Sequence, residues 1–172
     1  MDNTKKKVFR CGLCPKDCRI PPGFSGECRI RMNLDGRLQA VTYGRPCAVH
    51  VDPMEKKPLF HFLPGTPILS VGTAGCNLHC KNCQNAEISQ GNPEDVSSYE
   101  LMPSAVPELA RRHGCVSVAY TYTEPVVSYE YTLECCKAVR QDGLRNVLVT
   151  AAYINERPLR GLLEYVDAAN VD

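Results

Sequence analysis

Three cysteines lie close together in one short stretch of the sequence, at Cys76, Cys80 and Cys83. Their spacing is C-x3-C-x2-C, and they follow the apolar run of residues 68–71. A [4Fe-4S] cluster usually takes four cysteines, so a triad leaves one iron free to bind the amino and carboxylate groups of a small molecule. The alternative from the motif alone is a zinc site with His79 as fourth ligand, because thiolates suit both metals.

A second group of cysteines has the pattern C-x2-C-x3-C-x9-C near the N-terminus, at Cys11, Cys14, Cys18 and Cys28. It lies in a segment, residues 1–65, that is rich in Gly and Pro and has few residues for a core. Asp35-Gly36 between residues 29–34 and 37–43 predicts a two-residue β-hairpin turn. So small a module usually needs a staple, which four thiolates would provide by binding zinc or a second iron–sulfur cluster. The alternative is four reduced cysteines packed together, and the spacing does not choose among these.

Composition narrows the class of protein. The chain has 172 residues and a formal net charge of +1, enough for one domain and a small appendage. The charge predicts neither nucleic acid nor a membrane as partner, and the apolar runs are too short to span a bilayer. The lysines near the N-terminus are not followed by the apolar segment of a signal peptide. We therefore expect a cytoplasmic protein whose eleven cysteines include metal ligands.

From residue 66 onward, strand-like and helix-like segments alternate. Strands are predicted over residues 68–72, 116–120, 146–150 and 168–172, and helices over residues 104–113, 126–141 and 158–165. This order is typical of an α/β fold with a parallel sheet and right-handed crossovers. We therefore predict a Cys-rich module with its linker over residues 1–65 and a core over residues 66–172. The proline-rich linker of residues 52–65 is expected to be a solvated turn.

The predicted topology brings chemically active side chains to one edge of the sheet. Sites in parallel sheets form at the carboxyl ends of the strands. The cysteine triad follows the first strand, Thr123 and Glu124 follow the second, and Thr150 ends the third. A carboxylate at Glu124 could bind an ammonium group or merely favour the start of the following helix. The nearby triad favours the ligand role.

The triad spacing resembles the signature of the radical S-adenosylmethionine (SAM) superfamily, although Asn82 stands where an aromatic residue is usual. The stretch from Tyr122 to Pro125 is similar to the Gly-Gly-Glu-Pro motif of the glycyl-radical-enzyme activating enzymes, with Tyr122 and Thr123 in place of both glycines. The whole chain resembles the radical SAM enzymes of the AmmeMemoRadiSam system, which are similar to pyruvate formate-lyase activating enzyme. The matching stretches are residues 11–15, 52–65, 71–89, 119–125 and 170–172. Ala86 and the pair Ala151-Ala152 depart from an aromatic residue and from the Asn-Gly of many relatives.

The resemblance implies a [4Fe-4S] cluster on the triad and SAM on its open iron, with Thr123 and Glu124 near the amino group. It makes Thr150 and Asp172 weaker candidates for contacts with other parts of SAM. The implied reaction is reductive cleavage of SAM to a 5′-deoxyadenosyl radical, which activates a glycyl radical enzyme or modifies another substrate.

The implied fold is the first half of a partial (β/α)6 barrel, so we expect a chain truncated at its C-terminus and inactive alone. The implied partners are an electron donor of the flavodoxin or ferredoxin type and proteins of the AMMECR and MEMO types. The rival prediction is a zinc-stapled binding module without catalysis.

Overall fold

The computed structural model of the protein describes residues 7–172. The strands are β1 (Phe9–Arg10), β2 (Arg19–Ile20), β3 (Arg31–Leu34), β4 (Arg37–Ala40), β5 (Ala48–Pro53), β6 (Pro67–Gly72), β7 (Ser117–Tyr120), β8 (Arg145–Thr150) and β9 (Ala168–Val171). The α-helices are α1 (Ala86–Ser89), α2 (Val106–Arg112), α3 (Tyr129–Gln141) and α4 (Glu156–Leu163). Short 3₁₀ turns cover Met54–Lys56, Pro103–Ala105 and Pro125–Ser128.

The centre of the fold is a five-stranded sheet in the order β5-β6-β7-β8-β9. The strands from β6 to β9 are parallel. Helices α1 and α2 lie between β6 and β7, α3 lies between β7 and β8, and α4 lies between β8 and β9. The predicted α/β class and the parallel pairing are confirmed, because each apolar run was short enough for a strand and each connection contained a helical pattern. The predicted strands and helices agree with the observed ones to within two residues or a 3₁₀ turn.

The two faces of the sheet are covered differently because successive strand residues point to opposite sides. On one face, Leu69, Val118 and Leu148 belong to the main core, together with buried residues of α2, α3 and α4. On the other face, Ile68, Ala119 and Val147 pack against Met54 and against partly buried residues of the linker. The helices therefore cover one face, and the linker covers part of the other.

The linker differs from the prediction. Residues 52–65 were expected to form a solvated turn, but Asp52 is 6% exposed and Lys57 is 2% exposed. The prediction was wrong because Met54 and apolar residues of the linker cover a face of the sheet. Asp52 and Lys57, which belong to the same segment, are buried with them.

Strand β5 also lies before residue 66, and the sequence analysis did not predict it. It pairs with β6 along its whole length, antiparallel, from Ala48 opposite Gly72 to Pro53 opposite Pro67. Of the two valines in β5, Val49 is partly buried and Val51 is exposed. A strand at the edge of a sheet carries a weak hydrophobic pattern and tolerates proline, so periodicity did not reveal it.

The N-terminal module contains two small hairpins, β1–β2 and β3–β4. Asp35 and Gly36 both have positive φ, 50° and 72°, as the predicted two-residue turn requires. The module is joined to α3 by Arg31, whose guanidinium donates two hydrogen bonds, of 2.7 and 2.9 Å, to the Glu130 carboxylate. This bidentate pair fixes the module relative to the helices.

Of the helices in residues 7–172, even the longest, α3 with 13 residues, is not long and apolar enough to cross a membrane.

Candidate metal centre

One large cavity lies at the carboxyl ends of the parallel strands and has a volume of about 570 Å³. It is lined by predicted site residues from four separate segments of the chain: Cys76, Cys80, Cys83, Thr123, Glu124, Thr150 and Asp172. The structure thus brings the triad and the polar residues together, as expected for strands that end at the same edge.

The cysteine loop begins directly after β6 and is held from both sides. Gly75 has φ = +86°, and a Cβ atom there would lie 2.5 Å from Ile30 Cγ2 and 2.6 Å from the Cys28 carbonyl oxygen. Only glycine combines this backbone with so close a contact. On the other side, the Asn77 amide donates a 2.9 Å hydrogen bond to the Tyr153 carbonyl. The loop is therefore positioned by the N-terminal module and by the segment after β8.

The three thiols have graded exposure and two hydrogen-bonding neighbours. Cys76 is buried, Cys83 is half-buried and Cys80 is exposed. The Leu78 backbone N–H donates to Cys76 Sγ at 3.4 Å, and the Ser89 hydroxyl lies 3.3 Å from Cys83 Sγ. Burial raises the pKa of the Cys76 thiol, and the nearby Glu124 carboxylate adds to the effect. A bound metal ion would overcome this, because coordination deprotonates a thiol.

The surroundings of the thiols bear on the choice between zinc and an iron–sulfur cluster. Among residues 7–172, no three His, Cys, Asp or Glu side chains converge closely enough to hold one metal ion. A tetrahedral zinc site with Zn–S bonds of ~2.3 Å needs sulfurs about 3.8 Å apart, whereas a cubane binds each cysteine at a different iron. The His79 ring bonds to Gln90 Oε1 at 2.8 Å and is not among the residues that line the cavity. The position of His79 therefore does not favour a zinc site that uses this residue as fourth ligand.

Glu124 is the most deeply buried acidic residue of the cavity wall, with 2% exposure. Its carboxylate accepts hydrogen bonds from the Thr150 hydroxyl, from the Ala151 N–H at 2.8 Å and from the Val126 N–H at 3.3 Å. The last bond caps the 3₁₀ turn that follows. Burial raises the pKa of Glu124, the three hydrogen bonds oppose that rise, and the nearby Asp172 adds to it. Glu124 therefore both caps the 3₁₀ turn and lies on the cavity wall.

The remaining predicted residues lie around Glu124. The Thr123 hydroxyl donates to the Thr73 carbonyl at 2.7 Å, which links the loop after β7 to the residues just before the triad. Thr150 accepts a 2.9 Å bond from the Ala152 N–H while it donates to Glu124. Asp172 is exposed, and its backbone N–H continues the β8 pairing by bonding to the Thr150 carbonyl at 3.0 Å.

A group of charged residues that was not predicted from the sequence lies on the same cavity wall. Lys56 and Lys57 line the cavity, and both pair with the buried Asp52. Tyr122 also donates to Asp52, at 2.6 Å. In the sequence, Asp52 is followed by lysines at i+4 and i+5, which indicates an ion pair. Tyr122, which also bonds to Asp52, lies 70 residues away, so a local pattern does not predict this contact.

The N-terminal cysteines line a separate and much smaller cavity of about 20 Å³. Cys11, Cys14, Cys18 and Cys28 all contribute to it, along with Asn77 of the triad loop. The backbone pair Cys11 N–H to Cys18 O, 2.9 Å, brings the first and third cysteines together. Asn77 Oδ1 is buried and has no hydrogen-bond partner within the described residues. The module and the triad loop therefore share a wall at Asn77.

Comparison with known proteins gives two findings. A family model described as a 4Fe-4S single cluster domain matches residues 64–172, which include the triad but not the N-terminal cysteines. An uncharacterized protein of Methanocaldococcus jannaschii is 44% identical over 172 residues, the whole of this chain and 50% of the relative. The chain thus spans about half the length of that curated relative.

Proposed function

The chain belongs to the family of 4Fe-4S single cluster domains, and from this premise we propose that it is a radical SAM enzyme. The observation that carries the proposal is that the cysteine triad and Glu124 line the same cavity. When bound, the cluster would supply the electron for reductive cleavage of SAM to a 5′-deoxyadenosyl radical, while the protein binds and orients.

The chemistry of the donor set supports a cluster with an open iron. Cys76, Cys80 and Cys83 are the cysteines among the described residues that line the cavity, so a cubane held there has three protein ligands and one free position. The Leu78 N–H and the Ser89 hydroxyl lie beside two of the sulfurs, where hydrogen bonds tune the reduction potential of a cluster.

Glu124 is suited to receive the ammonium group of SAM. An ionised carboxylate has about four acceptor positions, and three hydrogen bonds from the protein hold Glu124 in place. The remaining position is available for a charge-assisted bond. Thr123 and Thr150 position this wall through their own hydrogen bonds, and Asp172 adds a second carboxylate for the ribose or ammonium end.

The wider proposal extends to fold, substrate and partners. The parallel strands β6 to β9 with helical connections agree with the beginning of a (β/α)6 barrel. We place the reaction in the cytoplasm, with an electron donor of the flavodoxin or ferredoxin type. The radical would abstract hydrogen from a protein glycine, as in activation of a glycyl radical enzyme, or from a small molecule. Proteins of the AMMECR and MEMO types are the proposed associates.

The test is anaerobic reconstitution of the whole chain with iron and sulfide. We expect a brown protein with a broad absorption band near ~400 nm, four irons at the triad, and binding of SAM to the cluster-loaded protein. Cys76→Ser, Cys80→Ser and Cys83→Ser should each lose this cluster, because a triad has no spare ligand.

The matched control is Cys47→Ser, since Cys47 lies outside the cavity and its thiol only donates to the Gly72 carbonyl at 3.5 Å. Full iron and sulfide content in any triad variant would contradict the assignment of the ligands. A colourless protein that binds zinc stoichiometrically would favour the non-catalytic binding module instead.

A second metal at Cys11, Cys14, Cys18 and Cys28 is also proposed, with a structural role. All four side chains line one cavity, and the module around them has short strands. The cavity volume of about 20 Å³ is small for a second cubane. No three of these thiols converge on one point within residues 7–172, so binding of a single ion such as zinc requires them to rotate.

A further inference from the structure

The cavity has a positively charged wall that the proposed binding of cluster and SAM does not use. Lys56 and Lys57 follow β5 and line the cavity together with the cysteines. Lys56 Nζ lies 2.8 Å from Asp52 Oδ1, and Lys57 Nζ lies 2.7 Å from Asp52 Oδ2. Two ammonium groups share one carboxylate, so one positive charge on this wall is not compensated by Asp52.

The two lysines also have spare hydrogen-bond donors. An ammonium group has three N–H donors, and each lysine donates one hydrogen bond, to Asp52. In the part of the chain that the structure describes, neither ammonium has a second acceptor within hydrogen-bond distance. An incoming oxyanion could therefore accept bonds without displacing Asp52.

Tyr122 fixes the direction of this group. Its hydroxyl donates to Asp52 Oδ2 at 2.6 Å, and Lys57 Nζ lies 4.7 Å from the centre of its ring. Burial raises the pKa of Tyr122 and so does its bond to Asp52, so the phenol stays a donor. Burial also tends to raise the pKa of Asp52, but the bonds from both lysines and Tyr122 outweigh it and hold that pKa well below its usual value.

Tyr122 holds this position in a backbone conformation that costs energy. Its φ is +71°, in the left-handed region that a residue with a side chain enters at a cost of about 1–2 kcal/mol. Such strain persists where the surroundings impose it, often at functional sites. Here the strained residue is the one whose side chain contacts Asp52 and Lys57.

The position of the group separates it from Glu124. Asp52 is paired with Ile68, four residues before the end of β6, which is about 13 Å along a strand. Glu124 and Thr150, by contrast, follow or end their strands. The cavity thus carries acidic groups near the strand ends and the lysines farther along the sheet.

We propose that Lys56 and Lys57 form an oxyanion subsite for the substrate of the radical, so that this substrate is a molecule with a carboxylate or phosphate group. Only the assignment of this subsite to a substrate rests on the proposed function. The binding of an oxyanion by the two lysines can be measured without it. The competing explanation is an ion pair that only fastens the linker to the sheet.

The experiment measures anion binding by the whole chain with isothermal titration calorimetry, using inorganic phosphate in one arm and acetate in the other. Sodium chloride at the same ionic strength corrects for screening. We expect saturable binding of at least one anion by the unchanged protein, and the tighter of the two identifies the oxyanion. Lys56→Gln should weaken it fivefold or more.

Lys56 is the informative position because its side chain is 60% exposed, so its replacement should leave the fold intact. Lys137→Gln is the matched control, since Lys137 lies on α3, is exposed and pairs with Glu134, and it removes the same charge. Circular dichroism and the unfolding temperature without anion verify that both variants fold. Equal affinity in the unchanged protein and Lys56→Gln, or no saturable binding of either anion, would overturn the proposal.

A competition experiment separates this proposal from the function proposed above. Equilibrium dialysis of SAM against the cluster-loaded protein is repeated with the tighter anion present at saturation. Retention of SAM supports a separate subsite for the substrate. Displacement of SAM by the anion would show that the lysines serve SAM itself and would overturn the substrate assignment. Failure to bind SAM at all would contradict the proposed function, whereas the measured affinity for the anion would not be affected.

Discussion

Two residues near the cavity have a backbone conformation that glycine usually adopts. Tyr122 and Ala152 have φ values of +71° and +51°, and both stand where the resembling family often has glycine. Both residues therefore occupy the left-handed conformation that glycine enters without a steric cost. A sequence comparison can show that glycine is replaced, but whether the chain keeps the left-handed turn depends on contacts such as that from Tyr122 to Asp52.

Ala152→Gly is expected to stabilise the protein. Removing the side chain relieves about 1–2 kcal/mol of left-handed strain and costs about 0.5–1 kcal/mol of unfolded-chain entropy, so a gain of up to about 1.5 kcal/mol should result. Urea denaturation measures it. Ala151→Gly is the control, because Ala151 has no positive φ and should lose stability; a loss at both positions would argue against strain at Ala152.

Asp52→Asn should destabilise the protein in a pH-dependent way. The folded-state pKa of Asp52 lies below the unfolded value of about 3.9, so its contribution is present above pH ~4 and is lost as the pH falls through the folded value. At pH 7 the variant leaves Lys57 buried with no ionised partner, a change that typically costs about 3–5 kcal/mol. Urea unfolding of both proteins at several pH values should show a gap that narrows below pH ~4, and a constant gap would contradict the role of the ionised carboxylate.

At the scale of elements, the strand ends were predictable and the linker was not. The short apolar runs of the sequence predict β6, β7 and β8. Because functional sites form at the carboxyl ends of parallel strands, Cys76, Glu124 and Thr150 are then expected at one edge. The linker carries prolines and charges that locally indicate exposure. Its burial depends on the sheet face that it covers and on Tyr122, which are tertiary contacts that no local pattern encodes.

Gly75→Ala tests the contact between the N-terminal module and the cysteine loop. The added Cβ atom would lie 2.5 Å from Ile30 Cγ2 and at a φ of +86°, so strain and overpacking together should cost about 2–4 kcal/mol. We also expect less iron bound per chain after reconstitution. Unfolding and iron assays measure the two effects.

Gly23→Ala is the control for that change. Gly23 has a similar φ of +80°, but nothing lies within 4 Å of the position of its Cβ atom. It should show the strain alone, about 1–2 kcal/mol, with normal iron content. Equal losses in the two variants would mean that the contact with the module contributes nothing.

Cys28→Ser tests the proposed structural metal. Cys28 is buried, and burial raises the pKa of its thiol, so without a metal it should remain protonated. Elemental analysis of the whole chain should find one equivalent of metal beyond the iron at the triad, and Cys28→Ser should lose it, whereas Cys47→Ser should not. Identical metal content in all three proteins would rule out the second site.

The whole molecule is a sheet with one face under helices and the other face shared by the linker and the cavity. Within residues 7–172, β9 pairs only with β8, and Val171 on it is 63% exposed. An open edge of this kind offers unpaired backbone groups to another chain. The sequence predicted that β9 extends the parallel sheet. It did not predict how exposed β9 is.

Val171→Lys should therefore reduce association of this chain at high concentration, because a lysine on an edge strand opposes strand pairing. Sedimentation velocity over a range of concentrations measures the effect. Leu163→Lys is the matched control, since Leu163 is 48% exposed and ends α4 rather than lying on the edge strand. Equal reduction by both would point to general surface hydrophobicity rather than the edge.

The close contact at Gly75 bears on the order of events during synthesis. The surface that receives it, formed by Ile30 and the Cys28 carbonyl, lies entirely in the part of the chain that leaves the ribosome first. The hairpin that carries this surface can therefore form before the triad emerges, although its pairing with Glu130 follows later. Iron delivered to the nascent protein would then meet a loop whose shape an earlier segment has already imposed, and a module that folds late would delay maturation of the cluster.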